Sequence, residues 1–375
     1  MIGERLKLAR SAAGLSLREL EDRVGGLVSA QAIGKYERDQ MMPGSEVLIA
    51  LARALDVSED YLLRSDAVEL VSVEFRKQRL DKAKDRARVQ SQVLSAVERY
   101  LEVEDFLVLS SDWHAPKGFP RKVSRADDAE EAAKQLRSAW KLGVEPIPSL
   151  AEFLEEKAIK IVSIPLPERV SGVQASVRKK DGSRVQAIVL NGEHAGERQR
   201  FTLSHELGHM VLDGGAIAED VCNRFAGAFL IPEETLRAEI GNSRTSISIR
   251  ELFGLKELFG VSAQAIAFRT ADLGIINESL KRQIFIEFGK RGWRKEEPNP
   301  VPKEHPTRFK RLCLRALTED VISVSKAAEL LDVSARELLA SLDQPPTPSA
   351  DGSAPRRSTR CSASSLTRAV LPLMP

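Results

Sequence analysis

Cysteine is scarce in this 375-residue chain, long apolar runs are missing, and neither sign of charge is in large excess. The three cysteines, Cys222, Cys313 and Cys361, lie far apart and are odd in number, so a disulfide framework is not expected and the cell interior, cytoplasmic, is the expected location. No stretch approaches the ~18 uninterrupted apolar residues of a membrane helix. The start, Met1-Ile-Gly-Glu-Arg-Leu-Lys, turns amphipathic at once and has no apolar signal core. No membrane partner is therefore expected. A net charge of only +2 means that bulk electrostatics does not announce a nucleic-acid binder. Basic residues cluster only locally, at Arg5, Lys7 and Arg10 and again between Arg76 and Arg88. What is present is ordinary globular composition, 42% hydrophobic and 29% charged, in a length that accommodates two or three cores.

Residues 1–65 read as five short helices, with Leu6, Leu20, Ile33, Leu51, Leu55 and Leu62 at helical spacing. Ser16 and Glu19 form a capping-box pair, Gly25-Gly26 breaks the helix they start, and Ser29 caps the next. Residues 66–124 read as a charged, largely helical linker that ends in a loop. The unit 125–275 opens with amphipathic helices at 127–140 and 149–158. Strands follow at 159–164, 173–178 and 184–190, the last two joined as a hairpin by the turn Lys180-Asp181-Gly182-Ser183. A helix from Arg200 to Val211 and another from Ala218 to Leu230, stopped by Pro232, complete the pattern. Residues 276–342 form a helical C-terminal region interrupted by a Pro- and charge-rich segment at 296–306. Residues 343–375, rich in Pro, Ser, Arg and Ala, read as a disordered tail. The expected fold is multidomain: an all-α five-helix domain, an α+β domain with a small sheet, and helices at the end.

The chemistry concentrates in His205-Glu206-Leu207-Gly208-His209. Histidines four apart on a helix project from one face with spacing suited to a single Zn²⁺, and the glutamate beside them can take a proton from water. Five histidines in the chain make this pattern rare by chance. Two satisfied structural histidines on a helix are the bland alternative, and a catalytic zinc needs a third protein ligand and an open position. The next helix offers Glu219, Cys222 and Asn223 on one face at i, i+3 and i+4, with Arg224 turned to water. Glu219 is the expected third ligand, and Asp220, about 100° away around the helix, is its nearest competitor. Asn223 can orient a ligand from behind. Gly208 leaves room for something packed closely against it. Cys222 reads as a small buried residue rather than a redox sensor, and His194 as a solvated loop histidine.

The runs Phe201-Thr-Leu-Ser-His-Glu-Leu-Gly-His209 and Glu219-Asp-Val-Cys-Asn-Arg-Phe-Ala-Gly-Ala-Phe-Leu-Ile-Pro232, with the upstream strand ending Ala187-Ile-Val-Leu-Asn191, resemble the ImmA/IrrE-type metallo-endopeptidases over roughly residues 125–275. The resemblance implies a gluzincin-like site with His205, His209 and Glu219 on zinc and Glu206 as general base. It also implies a protein substrate, such as a helix-turn-helix repressor. The strand ending at Asn191 is expected to be the edge on which substrate aligns by strand addition.

Residues 2–63 resemble the phage-repressor-like (XRE-type) helix-turn-helix domain through Leu15-Ser-Leu-Arg-Glu-Leu20, Ala30-Gln-Ala-Ile-Gly-Lys-Tyr-Glu-Arg38 and Leu48-Ile-Ala-Leu-Ala-Arg-Ala-Leu55. By that match Ser29, Gln31 and Lys35 reach base edges, and Ser16, Arg18 and Arg38 contact phosphates of an operator duplex. Glu37 is expected to pair with Arg10 rather than touch DNA, and a homodimer on a palindrome is expected. Residues 323–342 repeat the helix-turn-helix rhythm and read as a packing pair or partner-binding element. The expectation is a DNA-binding transcriptional regulator with zinc-dependent endopeptidase activity. The competing reading is a transcription factor or antitoxin-like protein whose peptidase-like domain senses a metal or ligand, or grips a partner, without cutting. The intact Glu206 favours the enzyme, because a pure sensor has no need of a base.

Overall fold

A computed structural model describes residues 2–57, 59–63, 68–74, 83–109, 112–179, 183–213 and 219–342. The leucine spacing of the first sixty residues folds into α1 (Ile2–Ala13), α2 (Leu17–Arg23), α3 (Ala30–Tyr36), α4 (Ser45–Leu55) and α5 (Glu59–Leu63). Leu6, Leu20, Ile33, Leu51 and Leu62 are fully buried where these helices meet. Both partners of the Ser16–Glu19 capping box are engaged, and Ser29 Oγ accepts from Ala32 N at the start of α3. The turn between them uses Gly25 and Gly26 at φ of +68° and +71°, a conformation that costs a residue with a Cβ.

The stretch read as a helical linker contains a strand, β1 (Val68–Glu74), ahead of α6 (Ala83–Phe106). The reason is tertiary. β1 pairs antiparallel with β4 (Gly172–Lys179), a partner about a hundred residues away that charge patterning could not reveal. Most of the basic run 76–88 and the turn at 180–182 lie outside the described residues, as does the tail 343–375.

Helix α6 is the spine. One face takes α1 of the first domain through Arg5, whose guanidinium makes bidentate hydrogen bonds of 2.7 and 2.8 Å to Glu98, both side chains buried. Arg5 therefore belongs to an internal contact and not to a basic surface. Another face of α6 packs Val89, Val93, Val97 and Leu101 onto Val173, Ala175 and Val177 of β4 and Val185, Ala187 and Val189 of β5 (Arg184–Asn191). The alternate residues Ile188 and Leu190 of β5 point to the other core, with Ile161 of β3 (Lys160–Ile164). A strand buried on both faces accounts for the near-continuous apolar run in β5. The sheet order is β1-β4-β5-β3, with β3 parallel to β5. This corrects the expectation for the strand ending at Asn191: β5 is internal, hydrogen-bonded on both sides, and offers no edge to a substrate.

On the far side of the sheet lie α7 (Ala126–Ala139), α8 (Leu150–Glu156), α9 (Gly196–Val211) and α10 (Glu219–Leu230). Short β2 (Arg121–Lys122) and β6 (Leu212–Asp213) pair in parallel just before α7 and after α9. The layer continues with α11 (Glu233–Ile240), α12 (Ile249–Phe259), α13 (Ala263–Asp272) and α14 (Glu278–Lys290). Ile284 and Phe288 of α14 belong to the core that holds Leu203 and Leu207 of α9. Packing therefore continues past residue 275. The last helices, α15 (Arg308–Thr318), α16 (Val324–Leu331) and α17 (Ala335–Leu342), bury Leu312, Ala316, Ala327 and Leu338 against Tyr100 and Val103 of α6. Among the described residues no helix is long and apolar enough to cross a membrane.

Glu155, at the end of α8, joins the α9 layer to this last bundle. Its Oε2 accepts the backbone N–H of Thr307 and Arg308 at the start of α15. Burial pushes its carboxyl up to about 6. A native pKa above the unfolded value means that the folded state holds the proton more tightly between the two. Stability on this account is present at low pH and is lost as pH rises through 6. The Glu155 contribution to the unfolding free energy should fall by about 2 kcal/mol as pH rises from below 4.5 to 7, and Glu155→Gln should remove that component in urea titrations across the range.

Candidate metal centre and DNA-facing surface

Helix α9 must bury histidines, so every polar group on it needs a partner. Gln199 Nε2 donates to Asn191 O at 3.0 Å, and Lys256 Nζ lies 2.8 Å from Glu197. Arg200 pairs with Glu304 at 2.9 Å. The helix approaches α10 closely at Gly208, where an added Cβ would sit 3.1 Å from Phe225 Cδ1. This close approach is what the glycine in the middle of the motif suggested.

The spacing brings the two rings together, with His205 Nε2 and His209 Nε2 3.2 Å apart. The Glu219 carboxylate comes to 3.4 Å from His205 Nε2 and 4.0 Å from His209 Nε2. Tetrahedral coordination with bonds of about 2.0–2.1 Å separates donors by about 3.3–3.4 Å, so two of these three edges already match a zinc-sized polyhedron. His205 is fully buried, whereas Glu219 is 53% exposed and leaves the site open on one side.

The other ring nitrogens are held from α10. Asn223 Oδ1 lies 2.9 Å from His205 Nδ1. Accepting there requires a proton on Nδ1, which leaves the lone pair on Nε2. Cys222 Sγ lies 3.5 Å from His209 Nδ1. His205, His209 and Cys222 thus also form a compact donor set, one atom of each within 4.8 Å of the others. Ring geometry separates the alternatives. The two nitrogens of an imidazole point away from each other, so Cys222 stands behind His209 while Glu219 stands on the Nε2 side. All three residues read as one face of α10 touch the histidines. Glu206 is buried beside them, and Asp220 is exposed.

Two expectations are corrected. Arg224 does not face water but pairs with Glu130 at 3.0 Å and Asp272 at 2.8 Å. His194 is buried, its Nε2 3.0 Å from Glu168 O in a loop that Asn191 organises with hydrogen bonds to Leu166 and Val170. The residues nominated for DNA, Ser16, Arg18, Ser29, Gln31, Lys35 and Arg38, are all exposed around α2 and α3. Glu37 pairs with Arg10 at 2.5 Å, as the sequence suggested.

Comparison with known proteins joins the two halves. Residues 154–271 match the model of the IrrE N-terminal-like domain, and residues 6–62 match a helix-turn-helix model. The chain is a helix-turn-helix protein that carries an IrrE N-terminal-like domain. The Bacillus subtilis (strain 168) HTH-type transcriptional regulator ImmR is 26% identical over 149 residues, 40% of this chain and 95% of that protein. Repressor protein C2 of Salmonella phage P22 is 39% identical over 66 residues, 18% of this chain and 30% of the repressor. The SPbeta prophage-derived uncharacterized HTH-type transcriptional regulator YonR of B. subtilis (strain 168) is 39% identical over 64 residues, 17% of this chain and 57% of that protein. The IrrE-like span begins within α8 and includes α9 and α10 whole. Asn223→Ala should weaken the affinity of this candidate site for added Zn²⁺ about 10–100-fold in chelator competition while leaving the far-ultraviolet dichroism unchanged.

Proposed function

We propose that this chain is a cytoplasmic, operator-binding regulator whose IrrE N-terminal-like domain is a zinc endopeptidase acting on a regulatory protein, such as a helix-turn-helix repressor. The reading rests on one observation: two histidine Nε2 atoms and the Glu219 carboxylate converge on one point, with their supporting groups behind them. His205, His209 and Glu219 are the metal ligands in this account. Zinc, when bound, supplies Lewis acidity that lowers the pKa of a water to about 7. Glu206 would take a proton from water on its carboxylate and return it to the amine nitrogen, as the water oxygen joins the carbonyl carbon and the peptide C–N bond breaks. Asn223 holds His205 in the tautomer that presents Nε2, and the half-exposed Glu219 leaves an approach for the peptide.

On the DNA side, Gln31 and Lys35 are four residues apart on α3, one helical turn, and so face the major groove together, with Ser29 at its start. Ser16, Arg18 and Arg38 flank them toward the phosphates. The domain is not strongly basic, so a homodimer on a palindromic operator supplies the affinity. A regulator that uses the same centre without cutting is the second reading, favoured by the names of the relatives. Metal content and cleavage separate the two.

Zinc near one per chain should be retained in Glu206→Gln, while cleavage of a co-encoded repressor falls about 10²–10⁴-fold. Equal cleavage by both proteins would remove the enzyme reading. In gel-shift titrations on the chain's own promoter, Lys35→Ala should weaken binding by about 1–3 kcal/mol. An unchanged shift would take Lys35 out of the interface.

A further inference from the structure

Helix α9 rests on β4 and β5, and β5 is enclosed between β4 and β3. Any extended polypeptide that joins the sheet beside α9 must therefore use the outer edge of β4. The start of β4 touches the metal helix directly. A Cβ on Gly172 would lie 2.5 Å from Thr202 Cγ2, one turn before His205. Ser171, just ahead of it, accepts from Arg198 Nη2 of the same helix at 2.9 Å. An open strand edge is a row of N–H and C=O groups that a peptide in β conformation can pair with.

That edge is already taken. β1 runs antiparallel along it, from Val68 opposite Lys179 to Glu74 opposite Gln174. The register slips between Leu70 and Ser72, and such a bulge interrupts the ladder and weakens it locally. β1 is drawn from the segment between the helix-turn-helix domain and α6 rather than from the α9 layer. Helix α5 ends at Leu63 and β1 begins at Val68. Five residue steps span at most about 17 Å, so the DNA-binding domain cannot move far from its seat on α6 without pulling on the first residues of β1.

We propose that β1 is an internal occupant of the β4 edge, competing with an incoming extended polypeptide, so that the segment joining the two domains restrains the peptidase site. The inference rests on the endopeptidase reading above. Release of β1 exposes the backbone of β4 from Gln174 to Lys179, and displacement of the DNA-binding domain from α6 is the movement that favours release.

The test uses the full-length, zinc-loaded chain. Ser72→Pro removes a backbone donor from β1, and Val73→Gly weakens the same strand more gently. A fluorescein-labelled peptide of the β1 sequence, Val-Glu-Leu-Val-Ser-Val-Glu, should bind Ser72→Pro at least tenfold more tightly than wild type by anisotropy, with Val73→Gly between them. Fluorescein-casein should be hydrolysed at least tenfold faster by Ser72→Pro, and Glu206→Gln in that background should abolish the gain. Equal peptide binding by all three proteins, or binding by none, would overturn the proposal. If neither casein nor the co-encoded repressor is cleaved but the peptide ranking holds, the endopeptidase reading falls and the occupancy of the edge stands. If Ser72→Pro does not fold, the comparison of Val73→Gly with wild type decides.

Discussion

Burying a helix that carries histidine, glutamate, glutamine and arginine is the constraint around which the α+β half of this protein is arranged. Nearly the whole of α9 is inaccessible to water, and a buried polar group without a partner costs about 1–3 kcal/mol. The elements around it supply partners one by one. Lys256 of α12 meets Glu197 and Glu297. Glu304, from the segment before α15, meets Arg200 and also accepts the backbone N–H of Leu150 and Ala151 at the start of α8. α10 provides Asn223 and Cys222 behind the two histidines. The same placement that pairs these groups leaves the Nε2 atoms turned toward Glu219. Structural economy and a metal-sized arrangement of donors are one feature here.

Helix α6 performs the corresponding task between domains. A bidentate Arg5–Glu98 pair with both groups buried is a contact in which loss of either partner strands a charge. Farther along α6, Glu104 sits 3.0 Å from Lys160 of β3 and 2.5 Å from Arg308 of α15. One helix therefore binds the DNA-reading domain, the sheet and the last three helices, each through a buried charge as well as apolar contact. Such pairs require a particular geometry, and their presence alone is weak evidence of added stability.

Much of this was legible from local pattern. The capping pair Ser16–Glu19, the Arg10–Glu37 bridge, the three core strands and the one-sided face of α10 all follow from spacings of two to four residues, or from motif context. What escaped had distant causes. The alternation in Val68–Glu74 is a strand signal, yet it was submerged in a charged run because its partner lies beyond residue 170. The resemblance implies an edge at β5, and its apolar sequence cannot correct this, being the same whether a neighbour is present or not. Helical phase alone turns Arg224 to water, whereas α7 and α13 place Glu130 and Asp272 on that side. Nothing local announces the carbonyl of Glu168 that meets His194.

The absence of a disulfide pattern and of long apolar runs, together with the paired motifs, determined from sequence alone that this is a multidomain helix-turn-helix protein with a candidate metal helix. Those properties are set by composition and by residues within a few positions of one another. Only the tertiary structure decided which imidazole nitrogen faces Glu219, which strand edge borders the candidate metal helix, and that β1 lies along that edge. Each of these depends on hydrogen bonds between residues far apart in the chain, and their geometry exists only once the layers have packed.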